Sequence, residues 1–311
     1  MDVCIAILGA TGSGKTAFAI ELAKKIKGEI ICNDSATVYR GFDIGSSKPT
    51  PEQRKAIPHH LVDILEPEEP FSAHHFVELA TGAIESCRAR NGVPIIAGGT
   101  YFYLRALQHG LYPLPPIPNG TIEAIENEYF EDDTLNTRRM HEDLRRLDPA
   151  SADRIHPNDR YRLLRTLAIA RTTGERPSSL KPAPSEKQSQ RLWLKYALVM
   201  NRQELAQTII RRTEKMLSQG LVEETRQLLE QHSNARALQS IGYQEAVRYI
   251  LGKITEKQLR NEIIEKTRQL AKRQICWLRS DPEIRFIGTD DLDRVVLEWD
   301  NLNGALGVER S

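Results

Sequence analysis

Apolar and polar positions fall into blocks along the first hundred residues. Val3 to Leu8 is an unbroken apolar run closed by Gly9, the pattern of a strand buried on both faces of a parallel sheet. Ala17, Ile20, Leu22, Ala23 and Ile26 then give one apolar helical face, and Gly28 is expected to end that helix. Glu29 to Cys32 reads as a second strand. His60 to Ile64 and Val93 to Ala97 read as further strands, with a helix over about 73–90 between them. Strands alternating with helices predict an α/β fold, a parallel sheet flanked by helices.

The pattern changes at 111–118, where four prolines can continue neither a helix nor a central strand. From Thr121 to about Thr173 the periodicity is mostly helical, and a Pro/Ser-rich stretch over 176–189 follows. This predicts an inserted helical domain at 113–190 within a core made of 1–112 and 191–311. Leu192 to Met200 returns to the sheet. The rest reads as helices over 204–217, 221–231, 246–251 and 255–278.

Gly9-Ala10-Thr11-Gly12-Ser13-Gly14-Lys15-Thr16 matches G-x-x-x-x-G-K-[ST] between a predicted strand and a predicted helix, the context that makes a phosphate-binding loop credible. Its glycines permit a turn whose N–H groups face phosphate oxygens, Lys15 adds a point charge, and the Thr16 hydroxyl suits Mg2+. The alternative is a glycine-rich turn without a ligand. An ATPase or small-molecule kinase would need a second magnesium carboxylate closing a later strand. Here that strand runs into Gly98-Gly99-Thr100 instead. The loop after the second strand, from Asn33 to Gly41, places Asp34 near the phosphate loop, because neighbouring parallel strands end at one crevice. Asp34 either does chemistry or holds metal there, or caps a turn.

Composition narrows the class. At 40% hydrophobic and 27% charged residues, the 311-residue chain is expected to be globular. Cys4, Cys32, Cys87 and Cys276 are widely spaced and form no Cys-x-x-Cys pair, which fits a reducing cytoplasm. Neither a secretory signal nor a membrane span is expected.

Seven blocks carry a resemblance. GATGSGKT, NDSATVYRGFDIGSSKPT from Asn33, PHHLVDI from Pro58, IAGGTYFYLRAL from Ile96, RIHPNDRYRLLRTL from Arg154, LQSIGYQEA from Leu238 and TRQLAKRQICWLR from Thr267 together resemble the tRNA dimethylallyltransferase family, in that order. The resemblance implies transfer of a dimethylallyl group from dimethylallyl diphosphate to the exocyclic amine of the adenosine immediately 3′ of a tRNA anticodon. It assigns Asp34 to the adenine amine and Thr100, with Asp34, to catalysis. Gly9, Ala10, Thr11, Gly12, Ser13, Gly14, Lys15, Thr16 and Arg212, four residues before Met216, fall to the diphosphate, with Mg2+ on Thr16. Ser35, Thr37, Tyr39, Arg162, Arg165, Arg273, Trp277 and Arg279 fall to tRNA.

Local charge agrees with a polyanion partner, although the chain's net charge is only +1. Six arginines between 154 and 176 stand against Asp159 and Glu175. Eight basic residues between 253 and 279 stand against Glu256, Glu262 and Glu265. Solvated helix faces are the bland alternative. Ala10 replaces a family proline, Thr37 a glutamine, Tyr101 a small residue, Ala168 a glutamate, Thr208 an arginine and Cys276 a threonine. His59-His60 and His74-His75 are read as structural, since adjacent side chains diverge on strand and helix alike. Two other activities remain open: a kinase or NTPase, and a prenyltransferase acting on free adenine nucleotide. A non-catalytic tRNA-binding sensor is a third. A monomer is expected, for want of coiled-coil heptads.

Overall fold

The computed structural model describes residues 2–111, 117–118, 120–131, 134–180 and 191–305. They form two compact units, 1–108 with 186–311 and 109–185.

In the larger unit, β1 (Asp2–Gly9) is central because both its faces are apolar. Val3, Ile5 and Ile7 join one core cluster, whereas Cys4, Ala6 and Leu8 join the other. Around it lie β2 (Gly28–Asn33), β3 (His59–His60), β4 (Val93–Gly98), β7 (Arg191–Leu198) and β8 (Arg285–Ile287) in the parallel order β3-β2-β4-β1-β7-β8. The register pairs Leu8 with Gly98 and with Ala197, so β1, β4 and β7 end level at one edge. Helix α1 (Lys15–Ile26) contributes Phe18, Ala19, Leu22 and Ala23 to one core; α3 (Ala73–Ala89) and α4 (Tyr101–His109) contribute Phe76, Ala80, Leu104 and Leu107 to the other. A short helix, α2 (Pro51–Ala56), is opened by a Thr50–Gln53 capping box.

After β7 come α9 (Arg202–Ser218), α10 (Leu221–Gln231), α11 (Tyr243–Ile250), α12 (Glu256–Arg279) and α13 (Leu292–Ala305). The smaller unit holds α5 (Thr121–Glu128), a hairpin of β5 (Phe130–Glu131) and β6 (Thr134–Leu135), α6 (Thr137–Leu147), α7 (Pro149–Ala152) and α8 (Arg160–Thr173). Tyr129, Met140, Leu144, Leu163 and Leu167 make its core. Asp148 clasps it from within: its carboxylate accepts from the N–H and hydroxyl groups of both Ser151 and Ser178. Most of 111–118 and of 176–189 lies outside the described residues.

Several expectations need correction. Gly28 does not end α1; Lys27 does, at φ 53°, and Gly28 opens β2. Glycine is required there for space, since a Cβ would lie 2.5 Å from Ile95 Cδ1 and 3.0 Å from Ala23 Cα. The strand expected over 60–64 stops at His60, because Leu61 and Asp63 adopt left-handed backbone at φ 62° and 54°. Their segment instead hydrogen-bonds the loop before it, Asp63 N–H to Thr37 O and Ile64 N–H to Val38 O. The chain after β7 was expected to be all helix, yet β8 adds a parallel strand to β7.

Candidate active site

Gly9 to Thr16 turns from β1 into α1 with Gly12 at φ 90° and Gly14 at φ 84°, left-handed values that favour glycine. Ser13 N–H donates to Ala10 O and closes the turn. The loop rests on an apolar bed. Ala10 is buried with Leu205 and Ile209 of α9 and Ile264 and Ala271 of α12, so alanine in place of proline leaves the turn intact. Gly12 lies against Leu205, Ile209 and Thr208.

A cavity of about 100 Å³ opens where β1, β2 and β4 end. Thr11, Lys15 and Thr16 line it from the loop and α1, Asp34 and Thr37 from the end of β2, Gly98 from β4 and Arg212 from α9. Asp34 supplies its only carboxylate among the described lining residues. One oxygen of Asp34 accepts from Ala36 N–H at 2.8 Å, a local turn that fixes the side chain. No protein partner takes the other among the described residues. Capping and chemistry are therefore compatible in one carboxylate.

Burial pushes the Lys15 amine down to about 8, and the Arg212 guanidinium pushes the same way, while Asp34 opposes them. Arg212 is itself lowered by burial, with Asp34 opposing. Two half-buried cations with one carboxylate make a cavity poised for a polyanion, because a diphosphate would relieve their repulsion.

Thr100 does not line the cavity. It sits two residues past Gly98, with its N–H 3.4 Å from Asn33 O, beside the start of α4. Of the glycine loop, Ala10 and Ser13 instead face a second, mostly apolar cavity of about 90 Å³ with Leu198, Met200 and Phe286.

Ser35 is exposed, and Thr37 is buried with its hydroxyl unpartnered among the described residues. Tyr39 is a core residue: only 5% exposed, it donates its hydroxyl to Glu69 O at 3.1 Å. On α12, Arg273, Trp277 and Arg279 are exposed, Trp277 by 44%. On α8, Arg162 is exposed but paired with Asp159, and Arg165 is exposed.

Three supports escaped sequence reasoning. Lys48, nearly fully buried, donates to Tyr39 O and to the carboxylates of Asp43 and Asp63, which orders the loop carrying Ser46 and Ser47 into the cavity wall. Glu224 on α10 accepts N–H bonds from Asp43, Ile44 and Gly45 and the Tyr243 hydroxyl. Gln274 on α12 accepts from Thr11 N–H at 2.8 Å and donates to Gly99 O at 3.1 Å. Glu224 and Gln274 lie between 175 and 263 residues from the loops they hold, and Lys48 between 5 and 15 from its partners, relations that no hydrophobic period reveals. Tyr101, a departure from the family, donates to Asp281, which also pairs with buried Lys195. His60 pairs with Glu29, as a structural histidine does, whereas His59 lines the cavity with Nδ1 on Ile57 O.

This α/β fold, with a phosphate loop facing one cavity carboxylate, holds the groups that a transferase with a diphosphate leaving group needs. Residues 37–281 match the family model described as IPP transferase. A tRNA dimethylallyltransferase of Trichlorobacter lovleyi is 41% identical over 289 residues, covering 91% of this chain and 92% of the relative. The crystal structure of a full-length tRNA isopentenylpyrophosphate transferase from Bacillus halodurans is similar at a TM-score of 0.70 and 33% identity over 98% of this chain and 96% of that one. A eukaryotic dimethylallyltransferase acting on tRNA aligns at a TM-score of 0.72 and 28% identity, over 94% of this chain and 75% of that one. The chain belongs to the tRNA dimethylallyltransferase family and is a prenyltransferase. Among its described residues, no helix is long and apolar enough to cross a membrane.

Proposed function

We propose that this enzyme transfers the dimethylallyl group of dimethylallyl diphosphate to the exocyclic amine of the adenosine 3′ of a tRNA anticodon. The observation that carries the reading is the Asp34 carboxylate, with one oxygen anchored and the other without a partner among the described residues, sharing a cavity with half-buried Lys15 and Arg212. The glycine-loop N–H groups, Lys15 and Arg212 hold the diphosphate. The bond from the allylic carbon to the diphosphate oxygen breaks, the amine nitrogen bonds that carbon, and pyrophosphate leaves with the electron pair. An adenine amine is a poor nucleophile because its lone pair is delocalised into the ring, and it loses a proton readily only once attack begins. Asp34 orients the amine and accepts that proton. Thr100, on the adjoining loop, is assigned to the reacting end of the donor.

No described group of three His, Cys, Asp or Glu side chains makes a metal cage. Thr16 on the cavity wall suits Mg2+ shared with diphosphate oxygens and water, the way magnesium is commonly held. Bound there, the ion would neutralise charge on the leaving pyrophosphate. The exposed basic residues of α12 and α8 are the surfaces assigned to the anticodon stem-loop, whose single-stranded base can leave its stack for a crevice. All four cysteines are free, which supports a cytoplasmic enzyme in a reducing compartment.

The test incubates purified protein with magnesium, labelled dimethylallyl diphosphate and unmodified tRNA, then digests the tRNA and identifies the labelled nucleoside. Label in an adenosine beside the anticodon supports the reading. Label only in free adenine nucleotide supplied in a parallel reaction, or turnover of ATP without prenyl transfer, overturns it.

A further inference from the structure

We propose that Gln274 is a positioning residue for this reaction: its side-chain amide locks the diphosphate loop to the loop after β4, and so makes α12 part of the donor site. The inference rests on the function proposed above. Gln274 lies 263 residues from Thr11 and 175 from Gly99, yet bonds both, its Oε1 accepting from Thr11 N–H at 2.8 Å and its Nε2 donating to Gly99 O at 3.1 Å. The amide has one working orientation. Exchanging its oxygen and nitrogen would set N–H against N–H and oxygen against oxygen, so the two loops are held in a single relation. Gly99 leaves the room for it, since a Cβ there would lie 2.3 Å from Nε2.

The same helix is fixed on either side of this bond. One turn earlier Ala271 packs in the apolar bed with Ala10. Just beyond its carboxyl end Asp281 accepts from Tyr101 Oη at 2.9 Å and Lys195 Nζ at 2.6 Å. Thr100, placed between Gly99 and Tyr101, is thus bracketed by one attachment to α12 and one to the residue two positions past its end. Thr11 N–H is committed to Gln274 and Ser13 N–H to Ala10 O, which leaves the N–H groups of Gly12, Gly14 and the start of α1 for the diphosphate. Donors aimed at a leaving group contribute only if held in place before the reaction, and misplacement by about 1 Å costs on the order of a hundredfold. Arg273, beside Gln274, and Trp277, three residues on, are exposed on the helix assigned to tRNA. A shift of α12 on tRNA binding would therefore reach both loops through one amide.

The experiment compares Gln274→Met, which removes both bonds at similar volume, with Gln274→Glu, which keeps the acceptor for Thr11 N–H and loses the donor to Gly99 O. Steady-state prenyl transfer to tRNA is read together with the thermal midpoint with and without inorganic pyrophosphate. We expect kcat to fall tenfold or more and KM for dimethylallyl diphosphate to rise in Gln274→Met, with no smaller a loss in Gln274→Glu, whose second oxygen faces Gly99 O. The midpoint without ligand should be nearly unchanged, and the stabilisation by pyrophosphate reduced. Kinetic constants within twofold of wild type in both variants overturn the proposal. So does a lowered midpoint in both variants with unchanged kcat per folded molecule, the mark of a purely structural contact. If the wild-type protein itself transfers no prenyl group to tRNA, the functional reading fails instead.

Discussion

Lys15 is the residue whose ionisation the site controls most visibly. Burial and the neighbouring Arg212 lower it to about 8, against a weaker opposing pull from Asp34. A bound diphosphate supplies negative charge beside the amine and raises its pKa, so binding takes up a proton wherever free Lys15 is partly neutral. The sign follows: affinity for dimethylallyl diphosphate is full below pH 8 and falls as pH rises through 8, by up to about tenfold per unit. Calorimetric titration of donor at pH 7 and pH 9 in buffers of different ionisation enthalpy should show proton uptake at the higher pH only. Asp34 makes the complementary case. Asp34→Asn keeps the oxygen that accepts from Ala36 N–H but cannot take a proton from the amine, and so should lower kcat by about a hundredfold or more. KM for the donor should hold within about threefold, and single-turnover transfer at saturating donor checks the separation. Lys15, Thr16 and Asp34 were legible because a contiguous motif and the shared edge of parallel strands place them together. The burial of Tyr39 was not, because its hydroxyl partner, Glu69 O, lies 30 residues away.

At the scale of elements, what was legible depended on how completely local pattern decides the outcome. β1 and β4 are buried on both faces and read as unbroken apolar runs. β8 did not, since it is three residues long with Arg285 and Phe286 exposed, and only pairing with β7 makes it a strand. His60 to Ile64 failed for the opposite reason. Its apolar residues suit a strand, but the Asp63 carboxylate is drawn to Lys48 Nζ at 2.5 Å and Arg54 at 2.6 Å, and the backbone turns with it. Gly28 was placed correctly as a boundary and given the wrong cause. Its φ is ordinary, and the constraint is the contact of β2 with Ile95 and with the backbone of α1. That difference is measurable. Gly28→Ala should destabilise the protein by about 2 kcal/mol, as overpacking does, through a lower denaturant midpoint. If Gly28 acted through helix ending alone, the cost would be only that of an alanine in left-handed backbone, about 1 kcal/mol.

For the whole molecule, net charge is a poor guide to partners because the charges are unevenly placed. The chain carries +1, yet on α12 Lys257, Arg268, Lys272, Arg273 and Arg279 are exposed and have no carboxylate partner among the described residues. Arg260 and Lys266 of the same helix are paired with Glu214 and Glu245. In the smaller unit, Arg160 pairs with Glu126 and Arg171 with Glu128, which leaves Arg165 as an exposed arginine of α8 without such a partner. Basic residues held by carboxylates release no counterions when RNA binds, whereas unpaired ones do. Affinity for tRNA should therefore fall steeply with salt, and the slope should be set by the unpaired set rather than by the count of basic residues. Replacing Lys272, Arg273 and Arg279 with alanine should shallow the plot of log affinity against log salt by roughly 0.7 to 0.9 per phosphate contact removed, whereas Arg260→Ala should change it little. Binding of dimethylallyl diphosphate should keep its own salt dependence in both variants, because Lys15 and Arg212 are untouched. Filter binding of tRNA from 50 to 200 mM salt distinguishes the two sets, and equal slopes for both variants would show that α12 does not meet the phosphate backbone.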